Sequence, residues 1–325
     1  MMPAVDALFV GNAIMDVFGT CDDTFLTAHN IEKGSMTLVD EARALTLYMA
    51  MSGAQEQSGG SAANSAFGFA MLGGTAAFSG KLADDAVGNN FIANLRSGNV
   101  QFTGTIAADG PASARSMIFV TPDAQRSMNT FLGASLTMTD VSIQDDITSK
   151  FIYLEGYLFD APDGPAIFAK AAQLAASTGA ALSITLSDSW CVDRHKDALN
   201  TFIQDHVTIL FCNQDEIQAL LGTDDSTAIA SFAATMDELI VTKGADGADI
   251  WCKGDKTSVT ASLQGPVIDT TGAGDLFAAG YLYGRSAGET AYRSGQIASL
   301  CAGEIISHYG ARPETNLADL IATLS

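Results

Sequence analysis

Positive charge is scarce in this sequence: 16 Lys and Arg stand against 37 Asp and Glu, a formal charge of −21. A surface of that sign repels polyanions instead of releasing their counterions, so nucleic acid and anionic membrane are excluded as expected partners. Cysteine is sparse and unpatterned. The five, Cys21, Cys191, Cys212, Cys252 and Cys301, are odd in number and never spaced as CxxC, which signals neither a disulfide framework nor a zinc knuckle. A reducing cytoplasm is the expected compartment. No basic segment followed by a long apolar one opens the chain, because Asp6 interrupts the run leading into "ALFVG", and export is not expected. A membrane-length apolar run is missing as well. The 24 uncharged residues between Glu56 and Lys81 are broken by Gly59, Gly60, Gly68, Gly73, Gly74 and Gly80 and diluted by serines, Asn64 and Thr75, where a span is rich in Leu, Ile, Val and Phe. The stretch reads as a buried helix between two glycine turns.

What is present is apolar material: 47% hydrophobic against 16% charged, with 31 Gly. That is the profile of a compact globular chain, and 325 residues suffice for one large α/β domain with an appendage. Short β-rich runs at 7 to 11, 76 to 80, 151 to 156, 181 to 186, 207 to 212 and 238 to 244 alternate with helical patterns. The helices are expected near 61 to 72, 86 to 97, 163 to 178, 191 to 204, 213 to 221, 226 to 235, 274 to 285 and 289 to 308. This rhythm predicts a mostly parallel sheet covered on both faces. Residues 17 to 40 and 99 to 133 depart from it, being polar, β-leaning and turn-rich, with "ADG" and "PDAQ" reading as hairpin turns. They are expected to form a small β-sheet lid inserted in a single domain spanning 1 to 325.

Four motifs carry chemistry. "DTTGAGD", 269 to 275, puts a glycine-lined turn at a helix start, where free backbone N–H groups and the helix dipole favour an anion. Gly272, Ala273 and Gly274 form that nest. Asp275 reads either as a catalytic acid or base, or as a first-turn acid that stabilises its helix, and on this motif alone the two stand level. It is neither a P-loop nor a dinucleotide fingerprint, since GxxxxGK[ST] and the third glycine of GxGxxG are both missing. In "SGGSAANSAFGFAMLGG", Gly59 and Gly60 permit close backbone approach and Asn64 offers donor and acceptor to a hydroxylated ligand; a tight turn and a capped helix explain the same residues. "FCNQDEIQALLG" sets Asn213 and Glu216 on the first helical turn after a strand, where oxygen ligands reach a magnesium-bound phosphate through water, and where a capping box would look the same. "IVTKGADGADIW" ends a strand in Thr242, Lys243 and Gly244; the lysine meets phosphates or simply sits solvated in its turn.

Taken together, "DTTGAGDLFAAGYL", "GGSAANSAFGFAMLG", N-x-x-E and "VTKGADGA" resemble the ribokinase or PfkB-type sugar and nucleoside kinases, in matching order over essentially the whole chain. One turn departs: "KLADDAVG" carries Ala83 where the family usually has glycine. The resemblance implies a three-layer α/β/α ribokinase-like sandwich and ATP-dependent transfer of a γ-phosphoryl group to a hydroxymethyl group, with ATP and Mg²⁺ as cofactors. It implies Asp275 as catalytic base, Gly272, Ala273 and Gly274 as anion hole, Asn213 and Glu216 as the magnesium and phosphate motif, and Thr242 to Gly244 as a wall of the ATP site. Asp269 and Thr271 match positions that hold a monovalent cation such as K⁺ in some members. "VGNAIMDV", "IEKGSMTLVD" and "QRSMNTFLGAS" are similar to the adenosine kinase branch. Asn12, Asp16, Gly60 and Asn64, with Gly59 beside them, are thereby implied as ribose contacts and Arg126 as a lid arginine that reaches the site. Few Lys and Arg lie in the lid, which disfavours a phosphorylated acceptor. A nucleoside, adenosine foremost, is expected, or else a free sugar such as ribose or fructose; lid aromatics Phe102, Phe119 and Phe131 could contact a base. A catalytically silent nucleotide-binding regulator would have little reason to keep Asp275 beside the nest. A dehydrogenase is disfavoured by the single glycine of "VGNAIMDV". Whether the chain dimerises through its lid stays open.

Overall fold

The structure is a computed structural model and describes residues 4–123 and 125–324. Nine strands build its large sheet, in the spatial order Asp255–Val259, Ala248–Cys252, Glu238–Thr242, Ile209–Asn213, Ala181–Thr185, Ser149–Glu155, Val5–Val10, Ala76–Ser79 and Val100–Phe102. The seven from Glu238–Thr242 to Val100–Phe102 are mutually parallel, and the remaining two add on antiparallel. Side chains alternate across such strands, and here both faces are apolar. Leu8, Val10, Ile152, Leu154, Leu182 and Leu210 enter one core, while Ala7, Phe9, Phe151, Tyr153, Ile209 and Phe211 enter the other. Helices cover both faces, giving the three-layer α/β architecture.

All six expected strands and all eight expected helices are present, with shifted ends set by caps. The helix expected from 191 begins at Ser189 because the Asp188 carboxylate accepts the Cys191 N–H at 2.6 Å. The one expected from 289 begins at Ala291, capped by Thr290. No helix among the described residues is long and apolar enough to cross a membrane. The uncharged stretch after Glu56 becomes the end of a strand and the mostly buried helix Ser61–Met71, closed by the glycine turn at 73 to 74.

A five-stranded second sheet stands over this core in the order Met36–Leu38, Arg126–Phe131, Ala114–Val120, Ile14–Thr20 and Gln55–Gly59. Helices Asp23–Ala28 and Glu41–Ala50 cover it through Leu26, Leu47, Met117 and Phe119. Its limits differ from the expected 17 to 40 and 99 to 133. Val100–Phe102 joins the large sheet beside Ala76–Ser79, because Val100 is apolar enough to be buried there, and Thr105–Ala107 pairs with Lys81–Ala83. The "ADG" segment therefore links two sheets and is not a hairpin turn. The strands flanking "PDAQ" do form an antiparallel hairpin, although Ala124 within that turn lies outside the described residues. Gln55–Gly59, too polar to read as a strand, completes the sheet by backbone pairing with Ile14–Thr20. The chain crosses between the two sheets at Gly11–Ala13 and returns from the small sheet to the core through Gly60.

Candidate active site

The candidate residues converge at the C-terminal ends of the parallel strands, the usual crevice of open α/β sheets. Gly272 adopts a left-handed backbone (φ 78°) as N-cap of the helix Ala273–Ser286. A loop turned in this way leaves N–H groups unpaired. No described residue accepts the N–H of Gly272, Gly274 or Asp275, and open space lies above Gly274. The expected nest shifts by one residue, because the Ala273 N–H donates to the Thr270 carbonyl at 3.2 Å. The half-buried Asp275 sits in the first turn, beside these donors.

Helices Ser61–Met71 and Ala273–Ser286 pack closely because Gly68 has no side chain where Leu276 presses in. That approach sets Ser61 and Asn64 against the acid. Ser61 Oγ donates to Asp275 Oδ1 at 2.6 Å and Asn64 Nδ2 to Oδ2 at 2.9 Å. Burial raises the Asp275 pKa above the ordinary carboxylate value; these two hydrogen bonds and the charge of Arg312 pull against it. Gly60, at φ 89°, caps the start of the first helix, and any side chain there would strike the Asn12 carbonyl. A methyl on Gly59 would likewise collide with the Asp16 carboxylate, so the paired glycines let Asp16 into the site. Asp16 accepts no hydrogen bond from the described residues, and burial lifts its pKa to about 7.

Asn12 is placed differently from its expected open position. Its backbone N–H and Nδ2 donate to Glu155 Oε1 at 2.8 and 2.6 Å, and its Oδ1 accepts from Ser135 Oγ at 2.7 Å. It is a buried brace with one N–H left over. Glu155, at the end of its strand and 1% exposed, also accepts the Ala62 N–H at 2.9 Å. Burial carries its pKa to about 7.

Arg126 does reach across from the small sheet. Its guanidinium pairs with the Asp269 carboxylate and the Thr271 hydroxyl, while the Asp269 oxygens also accept the N–H groups of Thr271 and Gly310, each at 3.0 Å. The oxygens matched to a monovalent cation are thus occupied by a cation of the chain itself. At the far end of the crevice, Asn213 and Glu216 form a reciprocal capping box: Glu216 N–H to Asn213 Oδ1 at 2.9 Å, Asn213 Nδ2 and N–H to Glu216 at 2.7 and 3.0 Å. Glu216 is buried, with its pKa lifted to about 7 by burial and by Asp188 and Asp215 nearby. Lys243 is turned onto Asp249 at 2.9 Å, which leaves Thr242 and Gly244 as the wall without a lysine facing phosphate. Phe119 is buried in the small-sheet core beside Phe25, while Phe102, beside Phe78, and Phe131, against the small-sheet core, are partly buried.

Three residues of this constellation escape the motif reading. Ser61 hid in a run of small residues; Glu155 hid in an apolar strand, though a lone acid after "FIYL" was a signal. Arg312 follows the last long helix in "YGARPE", and a basic residue beside proline in so acidic a chain was the clue.

A family model described as pfkB family carbohydrate kinase matches residues 39–317. A solved probable sugar kinase from Rhizobium etli CFN 42 is 40% identical over 97% of both chains with a TM-score of 0.87. An adenosine kinase structure from Sinorhizobium meliloti is 39% identical over 99% of both chains with a TM-score of 0.89. Fructokinase-1 of Oryza sativa subsp. japonica is 29% identical over 230 residues, 67% of this chain and 71% of that protein.

Proposed function

The chain belongs to the pfkB family of carbohydrate kinases, hence is an ATP-dependent phosphotransferase, and from that premise we propose that its acceptor is the 5′-hydroxyl of adenosine or a similar nucleoside. The observation carrying the reading is Asp275, held by Ser61 and Asn64 beside the unpaired N–H groups of Gly272 and Gly274. Asp275 accepts the proton of the acceptor hydroxyl as its oxygen attacks, and the loop N–H groups stabilise charge on the phosphoryl oxygens. Asp16 accepts from sugar hydroxyls, with Gly59 and Gly60 giving room, Asn64 shared between ligand and base, and Asn12 bracing the turn from behind. The small sheet acts as a lid over residues 14–59 and 114–131 that excludes water.

ATP supplies the phosphoryl group and Mg²⁺ the charge neutralisation when they are bound. The donor set fits them: free loop N–H groups suit phosphate oxygens, and the acidic end at Glu216, Asp188 and Asp215 suits a hydrated dication. With Glu216 already holding Asn213 and no cluster of three or more metal-ligating side chains among the described residues, these carboxylates would hold the ion through its water shell. Arg126 on Asp269 and Thr271 argues for activity without K⁺ in this arrangement.

A free-sugar acceptor such as ribose or fructose is the second reading, supported by the sugar kinase likeness at 40% identity. ADP release from purified protein with adenosine, other nucleosides, ribose, fructose and fructose phosphates separates the two. Nucleosides should give the highest kcat/KM, and preference for a phosphosugar would overturn the reading. Asp275→Asn should lower turnover ~10³-fold or more with folding intact, the scale of general-base and positioning effects; near-normal turnover would return Asp275 to helix capping.

A further inference from the structure

Arg312 has no step of the reaction assigned to it, yet its side chain is drawn into the centre of the site. It is 7% exposed, lies over the Phe67 ring at 4.4 Å, and donates from Nη1 to Asn64 Oδ1 at 2.7 Å and from Nη2 to Ser58 Oγ at 2.7 Å and to the Ser58 carbonyl. The loop bearing it is pinned on both sides. Glu304 Oε1 accepts the N–H groups of Glu314 and Thr315 at 2.9 and 2.8 Å, and the Gly310 N–H is held by Asp269.

The consequence falls on Asn64. An amide has one oxygen and one nitrogen, and a guanidinium accepts nothing. With Oδ1 claimed by Arg312, Nδ2 is obliged to face Asp275, where it donates. Flipped, Asn64 would point its oxygen at a carboxylate. We propose that Arg312 is a positioning residue for phosphoryl transfer: by holding Asn64 Oδ1 it fixes the orientation in which Asn64 Nδ2 donates to the Asp275 carboxylate.

The charge balance calls for such a group. The Asp275 charge pushes up the pKa of Asp16, Glu155, Tyr153 and Tyr157 around it, while Arg312 and, on Asp16, Arg126 are the cations that pull the aspartates down. Burial raises the pKa of both aspartates, and the same burial lowers the Arg312 pKa to about 10, well above neutrality. Ser58 is on the small sheet and Asn64 on the core helix, so one guanidinium also ties the two together.

The proposal rests on the kinase reading for its consequence but is testable apart from it. In the full chain labelled with [¹³C]aspartate, the Asp275 carboxyl resonance, identified by its loss in Asp275→Asn, should titrate at least one pH unit higher in Arg312→Met than in the native protein. Arg312→Lys, which keeps the charge without the fork, should recover most of that shift. In turnover, Arg312→Met should lower kcat at least tenfold with KM for ATP within threefold, and the acid limb of the kcat profile should move to higher pH by a similar amount. Arg312→Lys should restore the limb but not the plateau. An unmoved carboxyl titration in Arg312→Met, or an unmoved acid limb, would overturn the proposal even if kcat fell, since a structural role alone lowers kcat without moving either. Native protein that turns over no acceptor would instead sink the kinase reading, while the carboxyl titration would still judge Arg312.

Discussion

Asp16 shows how much a single side chain can hold open. Its carboxylate accepts nothing from the described residues and is lifted to about 7 by burial. A hydroxylated acceptor would complete it. Asp16→Asn is therefore expected to raise KM for the acceptor about 10- to 100-fold with a smaller change in kcat, in line with roughly 1.5–3 kcal/mol for a hydrogen bond to a charged group. Calorimetric titration of adenosine or the preferred sugar would check it, and unchanged affinity would remove Asp16 from the contacts. Because Asp16 gains a proton below about pH 7, native affinity should also weaken as pH falls through that value. At this scale the sequence was legible where a motif fixes spacing: Asp275, Asn64 and Glu216 lie in the crevice. It was opaque where one residue type serves two masters. Lys243 and Asn12 look free in one dimension, and only the fold brings Asp249 and Glu155 to them.

At the scale of elements, the small sheet meets the core through Met15 and Val17 and through the buried Arg126 clasp on Asp269 and Thr271. Removing it leaves a buried carboxylate that still has three donors, from Thr271 and Gly310. Arg126→Ala should therefore loosen the hairpin without unfolding the core. Amide exchange of 114–120 and 126–131 should quicken by an amount equivalent to about 1–3 kcal/mol, while exchange of Ser149–Glu155 stays unchanged. Uniform acceleration in both would mean that the clasp stabilises the whole chain and not the hairpin. Alternation of apolar residues made the core strands readable, whereas Gln55–Gly59 was not. An edge strand needs only its backbone to pair, and polar side chains there carry no period-two signal. The same absence of pattern blurred the limits of the second sheet.

For the molecule as a whole, titration sets a direction. Asp16, Glu155 and Glu216 have folded pKa values near 7 against ordinary values of 3.8 to 4.5. The native state binds their protons more tightly than the unfolded chain, so stability falls as pH rises from about 4.5 through about 7. Asp6 and Asp123 are held down near 2 by Lys150 and Lys33, and stability from them is lost only as pH falls below about 4. Self-repulsion at −21 adds to the first trend. Thermal unfolding of the ligand-free protein should thus show Tm falling between about pH 5 and 7.5, with added sodium chloride raising Tm more at the upper end. A Tm that rises across that window would contradict the assignment of these three carboxylates.

Two of the crossings between the sheets have a mechanical meaning. One is the Gly11–Ala13 bend, braced by Asn12 on Glu155; the other is Gly60, held left-handed against the Asn12 carbonyl. A lever normally grips at its tip and pivots at its base, but here the fulcrum and the grip are the same few peptide units. On the proposed sugar contacts, the torsions that would let the upper sheet swing away are those that would carry Asp16 and Gly59 off the ligand, while Asn64 stays with the core helix. Residence time and affinity then share one coordinate, and no substitution at the pivot can quicken the departure of product without also slackening the hold on the molecule that arrives next.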